Sequence, residues 1–421
     1  MKSRARRVLI VTQYYWPEPG APSVRYDAIT RTLVAEGVEV DVLTGVPNYP
    51  TGRIQDGYTL LGPRTQTRDG VRIHRLPLFP YGGRDRGLRL LNWGSFALTA
   101  FAGLFMRFEP ELVIVESPPL PLVIPAAAIA RRARAPLVMF VADLWPSVPL
   151  AMGALRPGFV ADRLLDLESL CYQWSWRITA PTEGVYAVLA AHPHAGPSKV
   201  LLLPNGVDTT VFRPLDRSAY PAEAARLAPL DRRVLFFYAG TIGHAQALDT
   251  IVDAAARLRD DARIGFALLG DGPERVALTA KASAFGLDNI KFLGSVPPNE
   301  VARYLAFARA TIAPLRDLDL FQSTRPAKVL PSLACARPVI FAGRGEMQGL
   351  IERERCGVVV PPEDPAALAS AVVRLAESPD QARAMGERGR EWALREYDFG
   401  ALVRRWWAAL SEALPPRDRS S

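Results

Sequence analysis

A chain of 421 residues with 49% hydrophobic and 22% charged residues is too long for a single core and too apolar for a disordered protein, so two domains are expected. Its three cysteines, Cys171, Cys335 and Cys356, form no CxxC pair, which excludes a disulfide framework or zinc site and fits a reducing, cytoplasmic compartment. The net charge of +8 comes almost wholly from arginine, and no recognition motif accompanies it, so nucleic acid is not an expected partner.

The basic stretch Met1 to Arg7 leads into only four apolar residues, Val8 to Val11. That is a buried strand, not a signal peptide. Further strands are expected near 38–43, 71–75, 112–116, 136–142, 176–180 and 199–203, with helices near 24–36, 88–108, 120–134 and 182–191 between them. Arg84, Arg86 and Arg89 precede Leu90 to Met106, an uncharged run of 17 residues. This run is slightly short for a membrane span. It reads either as a helix buried on a sheet or as one dipping into a lipid interface, with the arginines at anionic headgroups and Trp93 as an anchor.

An Asn-Gly turn at Asn205-Gly206 closes the first half. Strands then recur near 233–239, 263–269, 290–293, 309–313, 337–341 and 357–360, with helices near 245–259, 273–285, 298–307, 326–336 and 364–376. Strands alternating with helices imply α/β architecture with parallel sheets. The expected division is 1–210 and 211–378, with helices over 379–421 bracing both.

Ligand loops of doubly wound sheets lie at the carboxyl ends of the strands. Two such loops in the second half suit an anion. Gly240-Thr241-Ile242-Gly243-His244 follows a strand and precedes a helix expected from Ala245. Its glycines permit close backbone approach, and the helix start offers free N–H groups. A plain strand-to-helix turn explains the same residues. In Ser323-Thr324-Arg325-Pro326-Ala327-Lys328, Pro326 suits a first helical turn. There Arg325 and Lys328 place cations where the helix dipole disfavours them unless an anion is present. The turn Gly270-Asp271-Gly272 lacks the third glycine of a dinucleotide fingerprint. Asp317-Leu318-Asp319 matches the short metal–nucleotide DxD pattern, which recurs by chance, and no metal site is expected.

In order, Gln13 to Pro22, Leu43 to Gly52, Asp143-Leu144-Trp145-Pro146, Pro204 to Asp208, Gly240 to Asp249, Gly270 to Pro273 and Pro326 to Pro338 resemble the family 4 retaining glycosyltransferases. The likeness is to their colanic-acid and O-antigen assembly branch. It implies a GT-B fold, two Rossmann-like doubly wound domains facing a central cleft. The N-terminal domain would take the acceptor and the C-terminal domain a nucleotide diphosphate-sugar. It places the diphosphate at Gly240, Thr241, Gly243, His244 and Lys328, and the base along Gly270, Leu293 and Gly294. Gly20 and Ala21 would lie against the donor.

The resemblance further implies metal-independent transfer of a hexose-type unit to an acceptor hydroxyl with retained configuration. Asp143 would orient the acceptor, and Arg325 and Lys328 would stabilise the leaving diphosphate. No cofactor beyond the donor substrate is implied. The expected acceptor is a polyprenyl-linked glycan, reached at the inner face of the plasma membrane through Arg84 to Met106. The chain departs from the family at Pro331, where many members carry a glutamate. At His244 and Gln246 an Arg and a Lys are usual, and at Ala142 an Arg or His. These departures leave two other readings open: a catalytically silent sugar-nucleotide-binding partner, and a transferase that decorates a small metabolite.

Overall fold

The computed structural model describes residues 6–19, 21–60, 65–83, 85–151, 155–318, 321–322 and 325–415. The chain divides into two compact units, Met1–Asn205 with Gly400–Ser421, and Gly206–Phe399. The first unit is therefore discontinuous. The expected 379–421 segment falls into both, with the helix Pro379–Glu396 in the second unit and nearly all of Phe399–Ala413 in the first.

The first unit holds β1 (Arg7–Val11), β2 (Glu39–Gly45), β3 (Thr65–Arg68), β4 (Val71–Leu76), β5 (Leu112–Ser117), β6 (Leu137–Val141), β7 (Arg177–Ala180) and β8 (Val200–Leu202). Their order across the sheet is β3-β4-β2-β1-β5-β6-β7-β8. All neighbours are parallel except β3, which pairs antiparallel with β4 at the edge. β5 and β6 read LVIVES and LVMFV and are buried throughout, as strands covered on both faces must be. The strand order reverses at β1, which pairs with β2 on one side and β5 on the other.

At that reversal Glu116, 1% exposed, pairs with Arg25 at 3.0 Å and accepts from the Thr12 hydroxyl at 2.9 Å. Arg25 also reaches Asn205 Oδ1 at 3.3 Å and lies over the Phe140 ring. One buried ion pair thus ties the helix Ala21–Ala35 to the ends of two central strands and to the last residue of the unit's first segment.

The stretch Leu90 to Met106 is buried along one side and exposed along another. The helix Arg86–Ala100, capped by Asp85 accepting from Leu88 N at 2.8 Å, buries Asn92, Phe96, Ala97 and Ala100. Leu91, Leu98 and Phe105 are 51%, 72% and 87% exposed. Residues seven apart share one helical face, so Leu91 and Leu98 form an uncovered apolar stripe, with Leu88 and Leu90 also exposed beside its start; Phe105 follows the 3-10 turn Phe101–Leu104. Arg84 lies outside the described residues. Among the described residues no helix is long and apolar enough to cross a membrane.

The second unit holds β9 (Val234–Ala239), β10 (Ile264–Leu269), β11 (Ile290–Gly294), β12 (Ala308–Pro314), β13 (Val339–Ala342) and β14 (Gly357–Val360). They form a wholly parallel sheet in the order β11-β10-β9-β12-β13-β14. Phe236, Phe266, Ile312 and Ile340 from four of these strands pack into one core with Ile251 and Val252 of the helix Asp249–Arg257 and with Leu368 and Val372 of Pro365–Glu377. The reversal lies between β9 and β12, so ligand loops are expected after those strands and after β10.

Burial pushes the Glu116 carboxyl up to about 7, while Arg25 and Thr12 pull it down. A carboxyl raised above its unfolded value of 4.5 favours the folded state most below that value and loses the contribution as pH rises through about 7. Arg25→Ala leaves the buried carboxylate unpaired and is expected to cost about 3 kcal/mol at pH 8. The loss is smaller at pH 5, where Glu116 is protonated. Urea unfolding at the two pH values checks this, and equal losses would rule out the charge pair as the source.

Candidate functional site in the second unit

Three glycine turns meet at the carboxyl end of the second sheet. A Cβ on Gly270 would lie 1.8 Å from the Gly240 carbonyl oxygen, and one on Gly272 would lie 2.3 Å from that of Ile242. Gly270, at φ +145°, also uses a backbone conformation that favours glycine. Backbone hydrogen bonds close the cluster. Gly240 N donates to Leu269 O, Ile242 N to Asp271 O and Gly270 N to Gly294 O, each at 2.9 Å. The loops after β9, β10 and β11 therefore form one surface. Gly240, Gly270, Leu293 and Gly294 come together there.

Lys328 completes the surface. A Cβ at Gly240 would sit 3.3 Å from the Lys328 Cε, so the stem of the lysine runs along the glycine turn. Its ammonium donates to the Tyr238 hydroxyl at 3.0 Å and lies 4.5 Å from the Tyr238 ring centre. The Tyr238 hydroxyl in turn donates to the Thr241 carbonyl. Among the described residues no carboxylate lies within 4.0 Å of the Lys328 ammonium. Burial alone brings its pKa down to about 8. A half-buried cation without a counter-ion has much to gain from an anion. Backbone donors are at hand, since among the described residues the N–H groups of Thr241, Gly243 and His244 donate to nothing.

Three expectations need correction. The helix foreseen from Ala245 is a single 3-10 turn, His244–Gln246, followed by Ala247 in left-handed conformation; the α-helix starts at Asp249 and carries that acid in its first turn. What Gly240 to His244 offers an anion is therefore its unpaired N–H groups and the neighbouring Lys328, not a helix start. Likewise, the helix expected from Pro326 runs only from Val329 to Ala334, with Lys328 at its cap. Ser323, Thr324 and Asp319 lie outside the described residues.

The third correction concerns Arg325, whose guanidinium is held by Glu346 and donates to the Tyr397 hydroxyl at 2.9 Å. It is not an uncompensated cation. The helix Glu346–Glu354 supplies the acid that the local sequence lacked.

His244 is exposed, its ring 4.0 Å from Glu274 and 3.5 Å from an Arg316 nitrogen. Arg316 Nε also donates to the His244 carbonyl at 2.8 Å and Nη1 pairs with Glu363 at 2.8 Å, so the turn is braced from β12's loop. Asp317 pairs with Arg344 at 3.1 Å. Pro331 occupies the third helical position, where its missing N–H has no helical acceptor to lose.

Two residues were not assigned from sequence. Tyr238 orients Lys328, and its signal was a phenol near the end of an otherwise apolar strand. Arg275 pairs with Asp271 at 2.9 Å and lies 3.7 Å from where a Gly294 Cβ would stand, at the rim of the base side.

The remaining expected residues belong to the first unit. Gly20 is outside the described residues, and Ala21 opens the helix Ala21–Ala35. Asp143 is exposed after β6, its carboxylate accepting from Leu144 N at 2.9 Å. The next helix starts only at Ser147, so Asp143 does not cap it. Two residues on, Trp145 meets Trp93 edge-on at 5.9 Å, and elsewhere in the unit Tyr14 meets Tyr49 likewise at 5.7 Å.

Because Lys328 carries its proton only below about 8, binding of a nucleoside diphosphate is expected to weaken about tenfold between pH 7 and pH 9. Lys328→Arg, charged throughout, should bind with a flat profile, and Lys328→Ala weakly at both values. Titration calorimetry checks this; a flat wild-type profile would remove Lys328 from the anion site.

Comparison with known proteins matches both units. Residues 20–206 fit the glycosyl transferase 4-like domain, and residues 233–378 the glycosyl transferases group 1 model. The 2-deoxystreptamine glucosyltransferase of Streptomyces kanamyceticus is 28% identical over 88% of this chain and 93% of its own length. A proposed colanic acid biosynthesis glycosyl transferase of Escherichia coli K12, WcaI, is 26% identical over 68% of this chain and 71% of its own. Anabaena HepE in complex with UDP-glucose superposes with a TM-score of 0.65 at 14% identity, over 96% of this chain and 99% of that one. Two parallel α/β units, each matching its own glycosyltransferase model in the same order, make this chain an enzyme of the GT-B glycosyltransferases, in the group that joins a 4-like domain to a group 1 domain.

Proposed function

We propose that the chain transfers a sugar, with retained configuration, from a nucleotide diphosphate-sugar to a hydroxyl of a lipid-linked glycan during cell-surface polysaccharide assembly. The observation that carries the donor half is Lys328, a half-buried ammonium against Gly240 with no carboxylate partner among the described residues. The bond between the anomeric carbon and the diphosphate oxygen breaks, and one to the acceptor oxygen forms. The acceptor proton passes to a diphosphate oxygen. Charge that develops on the leaving group is met by Lys328 and by the N–H groups of Thr241, Gly243 and His244. Arg325 supports this arrangement from its pair with Glu346. The acceptor belongs to the first unit, with Asp143 as its orienting carboxylate.

The exposed apolar side chains Leu91 and Leu98 on one face of the helix Arg86–Ala100, with Phe105 beyond its end, favour an acceptor in a membrane over a free one. An amphipathic helix with such a face lies in the headgroup region, which makes the enzyme peripheral at the cytoplasmic face of the membrane. The E. coli relative is tied to a cell-surface polysaccharide by its name, and the Streptomyces relative to a small aminocyclitol.

The deciding experiment incubates the protein with UDP-, GDP- and dTDP-sugars and either a polyprenyl-diphosphate saccharide or 2-deoxystreptamine. Transfer to the lipid-linked saccharide, with the anomeric configuration read by NMR, supports the proposal. Transfer to the aminocyclitol alone would make it a small-metabolite transferase. Tight nucleotide binding without transfer or hydrolysis would make it a silent partner. Leu91→Ser with Leu98→Ser is expected to lower sedimentation with phosphatidylglycerol vesicles about tenfold or more while donor binding is kept.

A further inference from the structure

The second unit has a cavity at the other end of its sheet from the glycine turns. About 960 Å³ opens among the first residues of β9 and β12 and the residues just before β10. Six arginines line it, Arg217, Arg232, Arg233, Arg263, Arg309 and Arg337, against one acid, Asp216. Asp288 neutralises Arg233 at 2.9 Å, and Asp261 neutralises Arg263 at 2.7 Å. Among the described residues the other four have no carboxylate within 4.0 Å. The Asp216 carboxylate accepts from Ser218 N at 3.0 Å, capping its own turn.

Two of these four, Arg309 and Arg337, are held in place without being neutralised. Arg309 donates to the carbonyls of Leu375 and Ala376 at 3.0 and 3.2 Å. Arg337 donates to Ala306 O at 3.0 Å, while its Nε is buried without a partner. Carbonyl anchors fix a guanidinium's direction and leave its charge. Burial lowers the pKa of Arg337, Cys335 opposes this, and Arg309 and Arg217 add to the lowering. Burial and then Arg383 act the same way on Arg309. Like charges confined in one cavity repel, and the arrangement is relieved by a multivalent anion. Planar guanidiniums recognise phosphate oxygens in pairs.

We propose that this cavity is a second anion site, distinct from the donor loops, that takes a soluble ligand bearing at least two phosphate groups. Its volume is in the range of small-molecule sites. None of its lining residues is among the exposed large hydrophobics, so it lacks the apolar rim that a lipid headgroup site shares with the bilayer. The inference stands whether or not the proposed transfer reaction is correct.

The test is titration calorimetry of Lys328→Ala protein, in which the donor cation is gone, with inorganic pyrophosphate at ionic strength fixed with chloride. Saturable binding is expected, weakened about tenfold or more by the further pair Arg217→Ala and Arg232→Ala. Both arginines are exposed, and thermal melts of the variant confirm that it folds. Binding that is absent, or indifferent to the two arginines, overturns the proposal. A parallel arm sediments the wild type and the Arg217→Ala, Arg232→Ala variant with phosphatidylglycerol vesicles. Equal sedimentation is expected. Loss of vesicle binding in the variant without pyrophosphate binding in the calorimeter would assign the arginines to lipid and also overturn the proposal.

Discussion

The surface built from the glycine turns depends on one steric constraint, the absence of a side chain at Gly270. With the Gly240 carbonyl 1.8 Å from the place a Cβ would take, any other residue would push the turns after β9 and β10 apart. Their approach aligns Gly240 with the Lys328 stem and leaves the N–H groups of Thr241, Gly243 and His244 outside the backbone pairing. The surface is therefore mostly main chain. Among the described residues, Lys328 is steadied there by a phenol rather than by a carboxylate.

The two units handle buried charge in opposite ways. At the reversal of the first sheet, Glu116 is sealed by Arg25 and Thr12, so the group has a structural use and no spare capacity. At the reversal of the second sheet, Lys328 has no acid beside it among the described residues. Topology offers the same crevice in both places; whether the charge there is matched decides which crevice can take an anion. The Arg325–Glu346 pair and the Arg316–Glu363 pair lie at neighbouring loops, so local charge is cancelled around Lys328 rather than on it.

Much of the architecture was legible because parallel strands covered on both faces are written as unbroken apolar runs, as in IGFALL of β10. β3 was missed because TQTR carries no such signal: it is a short edge strand that pairs with β4 and is tied to the helix Ala21–Ala35 through Arg68 and Asp27. Glycine turns stood out because their requirement is local. Partnerships across long sequence distance did not. Arg325 looked unopposed beside a helix start, yet its acid is Glu346 and its phenol Tyr397, 21 and 72 residues away. The exposed half of Leu90 to Met106 was likewise hidden, since composition shows that a segment is apolar and not which side of it a sheet covers.

The discontinuity of the first unit reaches beyond its final shape. Its last helix, Phe399–Ala413, is anchored by Trp406, whose indole N–H donates to Thr179 at 3.0 Å in the interior, and by Arg6 donating to the Ser411 carbonyl. Those residues leave the ribosome only after all of Gly206–Phe399. During synthesis the unit that begins first is the one that finishes last. Its β7 region, around Thr179, must wait with an open flank while the whole second sheet assembles, which makes that flank the natural point for chaperone attention or for misassembly in the growing chain.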